Sequence, residues 1–177
     1  NTLIGISSGA GITASFNDTG LSTNTARAVY VTAVTPAGEG PLSGGATVYT
    51  CAAPPLEDLP TFPEANITTS SMTIKWQRNA NPQNTVFELT LSTNFSVANG
   101  TQTFTSTANS NNLSLEVGGL SPAEVYIASV AAYNFDTPPR RSAYLNLKST
   151  STLAQKPASL NWTTVGTSEI GVSWAAN

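Results

Sequence analysis

Few side chains in this 177-residue sequence have the types and spacing needed for chemistry. The chain contains no histidine, the usual base of a nucleophilic triad and the commonest zinc ligand. Cys51 is the single cysteine, so neither an internal disulfide nor a second thiolate for a metal is available. We therefore predict no catalytic residue, no cofactor and no metal site, and we expect that the segment is not an enzyme.

Two pairs of neighbouring charged residues remain as candidates. Glu57 and Asp58 could offer oxygens to a calcium ion, but two carboxylates without a third oxygen ligand in sequence favour a solvated loop. Arg140 and Arg141 follow two prolines, which indicates an exposed loop tip. Seven basic residues in a chain of net charge -3 form no patch for phosphate, so we expect no nucleic-acid partner.

Asn-X-Ser/Thr motifs are the remaining candidate sites of modification. Six are present, beginning at Asn17, Asn66, Asn94, Asn99, Asn112 and Asn161. Since Ser and Thr make up about a quarter of the chain, roughly four such motifs would arise by chance. The motifs are thus possible glycosylation sites, and on their own they favour an unmodified chain.

The composition indicates the environment of the protein. Hydrophobic residues make up 40% of the chain, but charged residues make up only 10%, against roughly 25% in an ordinary globular protein. A surface built from Ser, Thr, Asn and Gln is typical of secreted or cell-surface β proteins, so we predict an extracellular or cell-surface location. No apolar run approaches the roughly 18 residues of a membrane span. Because the sequence begins at Asn1, the absence of a signal peptide carries no information.

The elements that must position these residues are predicted to be strands. Five stretches alternate apolar and polar residues with the period of a half-buried strand. They are SMTIKW (71–76), TVFELTLS (85–92), NLSLEV (112–117), the run that carries Tyr126, and SAYLNLKST (142–150). Turn signals separate them at residues 79–84, 99–100, 109–112, 118–119 and 138–139. Short alternating strands without a convincing helix predict an all-β antiparallel sandwich.

One sequence pattern occurs twice. GLSTNTARAVYVTAVT (20–35) and GLSPAEVYIASVAAYN (119–134) both place an apolar residue at every second position, and they are 99 residues apart. Trp174 likewise lies 98 residues after Trp76. Two full repeats would need about 198 residues, so we expect the chain to be a window from a tandem array, with one whole unit and two partial ones.

These residues carry a family resemblance. The stretch from Pro54 to Leu153 resembles a complete fibronectin type III domain, an immunoglobulin-like β-sandwich, because of Pro54-Pro55, Trp76 and the spacing from Leu120 to Tyr126. The resemblance implies seven strands and a tyrosine corner, in which the Tyr126 hydroxyl bonds nearby backbone. The structural core that we predict on this basis comprises Trp76, Leu120, Tyr126, Val130 and, in the third unit, Trp174. Arg27 stands where the first unit would have the corner tyrosine.

The resemblance also implies the domain organisation. Residues 1–53 are expected to be the C-terminal part of one domain, 54–154 a complete domain, and 155–177 the N-terminal part of a further one. We expect sequence outside the chain to complete each partial unit. That sequence could belong to a longer chain or to an identical subunit arranged head to tail, and it would cover Val29, Val31, Ile170 and Trp174.

Three functions are compatible with this reading. The sequences of the repeats are similar to those of tandem arrays in large bacterial secreted and cell-surface proteins. This resemblance favours a non-enzymatic structural module of a stalk or filament. The alternatives are an adhesive module that holds a protein or glycan ligand in its loops, and a spacer domain in a secreted polysaccharide-degrading enzyme. The loop with Arg140 and Arg141 is where this family often presents binding residues.

Overall fold

The computed structural model describes residues 15–93 and 110–175 in full and the backbone of residues 96–105. The regular structure there consists of strands, with a single 3-10 turn at Glu64–Asn66. In the described part, no helix is long and apolar enough to cross a membrane. The all-β expectation is confirmed.

The first segment, residues 15–53, forms two small antiparallel pairs. Strand β1 (Ala26–Val29) pairs with β4 (Ala46–Tyr49), and a short hairpin between them joins β2 (Val34–Thr35) to β3 (Gly38–Glu39). Nearly every residue of these strands is exposed. The strands form where the alternating pattern predicts them, but no second sheet among the described residues buries either of their faces.

The middle of the chain is a sandwich of seven strands, β5 to β11. Their bounds are β5 (Leu56–Glu57), β6 (Ser71–Gln77), β7 (Val86–Thr93), β8 (Ser96–Thr105), β9 (Asn112–Gly118), β10 (Val125–Tyr133) and β11 (Leu145–Ser151). Three of them form one sheet in the order β5-β6-β9, and four form the other in the order β11-β10-β7-β8. All the pairings are antiparallel.

The core lies between these two sheets and follows the alternation of the sequence. Met72, Ile74 and Trp76 on β6 are fully buried, and so are Phe87 and Leu89 on β7. The rings of Trp76 and Phe87 meet with centroids 6.0 Å apart. Burying each large apolar side chain contributes about 1.5 to 3 kcal/mol, so this interlocked layer is the main source of stability.

Strand β8 was not predicted, because its Asn99-Gly100 dipeptide indicates a turn. In the structure the dipeptide lies within the strand. Thr90 of β7 pairs with Thr101 and Ser92 pairs with Val97, so residues 98–100 lie opposite a single residue of β7. The dipeptide that was expected to reverse the chain instead occupies a bulge in an edge strand, a common position for an irregularity.

The last part of the chain is a separate hairpin of β12 (Ala158–Val165) and β13 (Ile170–Ala175). The Gly166 amide donates to the Glu169 carbonyl at 2.9 Å and closes the turn. Trp174 is 61% exposed, so its assignment to a buried core is wrong for this chain. The alternating pattern places its ring on the expected face, but no second sheet in the described residues lies against that face.

Candidate functional site

A set of buried polar contacts lies where the first segment meets the sandwich. We call this contact the joint. Asn24 belongs to the first segment, yet it is only 2% exposed. Its amide nitrogen donates to the Thr85 hydroxyl at 3.2 Å and to the Tyr133 carbonyl at 3.3 Å. Its amide oxygen accepts the Phe135 N–H at 2.8 Å, so this one side chain bonds three residues of the sandwich.

Asn134 provides the reciprocal contact from the sandwich. It is 3% exposed, and its amide nitrogen donates to the carbonyls of Thr50 and Tyr49 at 3.3 and 3.4 Å. Its oxygen accepts the Arg140 N–H at 2.6 Å, which also shapes the loop after β10. Beside it, the rings of Tyr49 and Phe135 meet edge to face with centroids 5.8 Å apart.

A third asparagine holds the chain that links the two parts. Asn81 accepts the Ala53 N–H at 2.9 Å and donates to the Ala53 carbonyl at 2.8 Å and to the Arg78 carbonyl at 2.9 Å. A net hydrogen bond contributes roughly 0.5 to 1.5 kcal/mol, and leaving a buried amide unsatisfied costs about 1 to 3 kcal/mol. Three buried amides therefore set the orientation of the first segment on the sandwich.

A charged and aromatic cluster lies next to the joint, on the outer face of the four-stranded sheet. The Glu88 carboxylate accepts the hydroxyl protons of Tyr133 and Tyr144, and it forms an ion pair with Arg141 at 2.9 Å. The Arg141 guanidinium carbon lies 4.4 Å from the centre of the Tyr144 ring, a cation–π distance. The cluster ties the loop before β11 to β7 and β10.

Electrostatics follow from these contacts. Burial acts to raise the pKa of Glu88, but the hydrogen bonds from Tyr133, Tyr144 and Arg141 outweigh it and hold the pKa below its ordinary value. The hydrogen bond to Glu88 raises the pKa of Tyr133. Burial, with the same carboxylate, raises the pKa of Tyr144. The carboxylate is thus kept charged and the phenols neutral, which suits a structural cluster and not a proton-transfer site.

A cavity of about 350 Å³ separates this cluster from the joint. Its lining comes from β7, the end of β10 and the following loop, at Val86, Glu88, Tyr133, Asn134 and Pro139. Arg140 and Arg141 follow the lining residue Pro139 in sequence, and their side chains are 66% and 45% exposed. Tyrosine and arginine beside a recess are the residue types that anchor binding partners, so the arrangement suits binding.

The predicted core residues of the sandwich lie where the resemblance places them. Trp76, Leu120, Tyr126 and Val130 are each at most 5% exposed. The Tyr126 hydroxyl accepts the Ser121 N–H at 2.8 Å, which is the bond of a tyrosine corner.

The corresponding position of the first segment behaves differently. The Arg27 guanidinium reaches the Asp18 carboxylate at 3.8 Å, and its side chain is 49% exposed. The first segment thus has an exposed ion pair at the position that the corner tyrosine occupies in the sandwich.

Each of the two acidic candidates forms an ion pair with a lysine. Glu57 lies 2.9 Å from the Lys148 ammonium, and Asp58 lies 3.2 Å from that of Lys75. The hydrogen bonds from Lys148 and Thr61 lower the pKa of Glu57. Within the described ranges, no group of three acidic, cysteine or histidine side chains is placed to hold a metal ion.

The asparagines of four Asn-X-Ser/Thr motifs are accessible. Asn17, Asn66, Asn112 and Asn161 are exposed, and an exposed acceptor is a requirement for glycosylation. Asn94 and the side chain of Asn99 lie outside the described residues. The motifs stay possible glycosylation sites, and the expectation of an unmodified chain stays a prediction.

The joint residues were not singled out from the sequence. Asn24 lies in a Gly-Leu-Ser loop and adopts a left-handed backbone with φ of 48°, a conformation that Asn tolerates better than most residues. That local signal predicts a turn residue. Its partners at Thr85 and Phe135 are 61 and 111 positions away, and no local pattern indicates them.

Comparisons with known proteins give structural likenesses only. No family model and no curated protein matches the chain. A computationally redesigned β-sandwich protein is 18% identical over 59% of this chain and 98% of its own, with a TM-score of 0.43. A two-domain fibronectin type III segment of chicken tenascin is 16% identical over 68% of this chain and 62% of its own, with a TM-score of 0.45.

A third likeness is to the FN1–FN3 domains of chicken CNTN1, at 17% identity over 76% of this chain and 45% of that one, with a TM-score of 0.38. At these identities and scores the fold assignment rests on the chain itself. Residues 56–151 form an all-β sandwich with the seven strands and the tyrosine corner of a fibronectin type III domain.

Proposed function

We propose that the protein is a non-enzymatic structural module of an extracellular repetitive array, such as a surface stalk or filament. The complete unit is residues 54–154, between the end of one unit at 1–53 and the start of another at 155–177. The joint is the observation that supports this role. Buried amides of Asn24, Asn81 and Asn134 bond across it, so the first segment has a set orientation on the sandwich, as two adjacent units of a load-bearing array would.

The exposed apolar residues of the two partial units support the same proposal. Val31 is 67% exposed, Ile170 is 67% exposed and Trp174 is 61% exposed. Contiguous exposed apolar surface marks an interaction site. Neighbouring sequence in a longer chain, or an identical subunit arranged head to tail, would cover these faces and complete each sandwich.

The experiment that tests the array is surface labelling of cells that make the protein. Antibodies against the folded sandwich are applied to intact cells and, as a control, to permeabilised cells. We expect intact cells to be labelled as strongly as permeabilised ones, and brief protease treatment of intact cells to remove the label. Label that appears only after permeabilisation would contradict an extracellular stalk.

Adhesion is the second candidate, and the cluster beside the cavity favours it. Arg141 and Tyr144 form an exposed aromatic–cationic surface that Glu88 holds in place. Binding to arrays of glycans and extracellular proteins should then be lost in Arg141→Ala. The matched control is Arg27→Ala, which removes another half-exposed arginine from the first segment. Equal binding by both variants would leave the structural role as the function of this module.

A further inference from the structure

The loop that follows β10 is closed by one asparagine. The Asn134 N–H donates to the Arg140 carbonyl at 3.0 Å, and the Asn134 side-chain oxygen accepts the Arg140 N–H at 2.6 Å. Arg141, the next residue, pairs with Tyr133 in an antiparallel bridge. The closure of the loop, residues 134–140, therefore depends on which atom of the Asn134 amide faces it.

The other end of the same amide faces the first segment. The Asn134 nitrogen donates to the carbonyls of Thr50 and Tyr49 at 3.3 and 3.4 Å, while the oxygen accepts the N–H groups of Arg140 and, at 3.4 Å, Asp136. A carbonyl oxygen only accepts a hydrogen bond, and a backbone N–H only donates one. The first segment thus requires the nitrogen on its side, and the loop requires the oxygen on the other. Both select one orientation of a side chain that is 3% exposed.

The first segment also holds the next residue of the loop. The Asn24 side-chain oxygen accepts the Phe135 N–H at 2.8 Å, and the Tyr49 ring meets the Phe135 ring edge to face with centroids 5.8 Å apart. Two consecutive residues at the start of the loop are therefore fixed by groups of the first segment before the chain reaches Arg140.

Loss of either set of partners weakens the other set. Without the two carbonyls of the first segment, the Asn134 amide is free to rotate, so the loop loses its fixed acceptor. With the loop open, nothing on the sandwich side holds the nitrogen toward those carbonyls. Hydrogen bonds that share one buried polar group strengthen one another, and a coupling between two binding events is reciprocal.

We propose that Asn134 couples docking of the first segment to closure of the 134–140 loop, so that the surface with Arg140 and Arg141 takes its shape only when the preceding segment is in place. The coupling concerns contacts within the chain, so it does not depend on where the protein is located. Its consequence for binding rests on the adhesive role considered above: a partner that binds the closed loop would also tighten the joint.

Hydrogen exchange of backbone amides in the whole 177-residue chain tests the coupling. Asn24→Ala changes the first segment, whereas the Arg140 N–H bonds Asn134 within the sandwich. We expect this N–H to exchange about tenfold faster in Asn24→Ala, relative to the amides of β6, the factor that corresponds to about 1.4 kcal/mol. The exposed control Asn17→Ala should leave the rate unchanged. An Arg140 rate that rises no more than the rates of the β6 amides would overturn the proposal, even if the Phe135 N–H exchanges faster.

The reverse variant tests reciprocity. Asn134→Ala changes the sandwich, whereas the Asn24 N–H bonds the Cys51 carbonyl within the first segment at 3.1 Å. We expect that N–H to exchange faster in Asn134→Ala, relative to the amides of β6, and to keep its rate in the exposed control Asn111→Ala. An unchanged Asn24 rate in Asn134→Ala would overturn the coupling. Neither variant is tested with a ligand, so failure of the adhesive role would leave both results as they are.

Discussion

Strands β6 and β13 carry almost the same pattern and have opposite environments. Each places apolar residues at alternate positions and has a tryptophan as the last of them. On β6, Met72, Ile74 and Trp76 are completely buried. On β13, Ile170, Val172 and Trp174 are 67%, 43% and 61% exposed. The pattern determines which side chains share a face, and a second sheet determines whether that face is buried.

Because their environments differ, β6 and β13 contribute differently to the free energy of unfolding. In the sandwich, β6 pairs with β9 and packs over β7, so its alternate residues leave water. An isolated two-stranded hairpin such as β12–β13 is marginally stable at best in water. We therefore expect the free energy of unfolding to reside in the sandwich and to respond little to changes in the hairpin.

Replacement of Trp76 or of Trp174 by alanine should give the largest difference in the free energy of unfolding. Trp76→Ala should lower the free energy of unfolding by about 3 to 5 kcal/mol, because it leaves a cavity between the two sheets. Trp174→Ala should change it by no more than about 0.5 kcal/mol, as exposed substitutions do. Urea denaturation followed by far-ultraviolet circular dichroism measures both, and similar losses would contradict the contrast.

Removal of the Asn134 amide tests whether the joint contributes to stability, as the buried core does. Asn134→Ala leaves the Arg140 N–H and two carbonyls of the first segment without their partner, so we expect a loss of about 2 to 3 kcal/mol. Asn111→Ala, on an exposed loop, is the matched control and should be nearly neutral. Equal melting temperatures for the two variants would mean that the joint adds nothing to stability.

Removal of the hydroxyl of the tyrosine corner should have a smaller effect on the free energy of unfolding. Tyr126→Phe keeps the buried ring and removes the acceptor of the Ser121 N–H, so the free energy of unfolding should fall by about 1 kcal/mol. Tyr30→Phe in the first segment removes a hydroxyl from a half-exposed ring and should have no measurable effect. Thermal unfolding distinguishes the two, and an undiminished melting temperature in Tyr126→Phe would show that the corner bond is dispensable.

Replacement of Glu88 should have an effect no larger than that of Tyr126→Phe, and this effect depends on pH. The folded-state pKa of Glu88 is lowered, so its contribution is complete above the ordinary carboxyl value of about 4.3 and is lost as the pH falls through the lower folded value. Glu88→Gln should therefore cost roughly 1 kcal/mol at pH 7, and the difference from the native protein should shrink in acid. Glu116→Gln, on an exposed position of β9, serves as control. A difference that grows in acid would contradict the lowered pKa.

Some features of the molecule were predictable because they are local. Period-two alternation indicated β6, β7, β9, β10 and β11, and a Leu-to-Tyr spacing indicated the corner at Tyr126. Strand β8 could not be predicted from the sequence, because an Asn99-Gly100 dipeptide in isolation favours a turn. In the structure the dipeptide lies in a bulge, which exists only because β8 pairs with β7. The joint could not be predicted from local sequence patterns, because its asparagines form hydrogen bonds with residues that are distant in sequence.

The sequence by itself determined the all-β class, the repeat and the faces of the strands, since each depends on residue types a few positions apart. The tertiary structure decided which of those faces are buried, because burial requires a second sheet. It also decided that Asn24, an ordinary turn residue by its neighbours, becomes a buried contact between two units. A side-chain amide acquires that role only when folding brings Thr85, Tyr133 and Phe135 within hydrogen-bond distance of it.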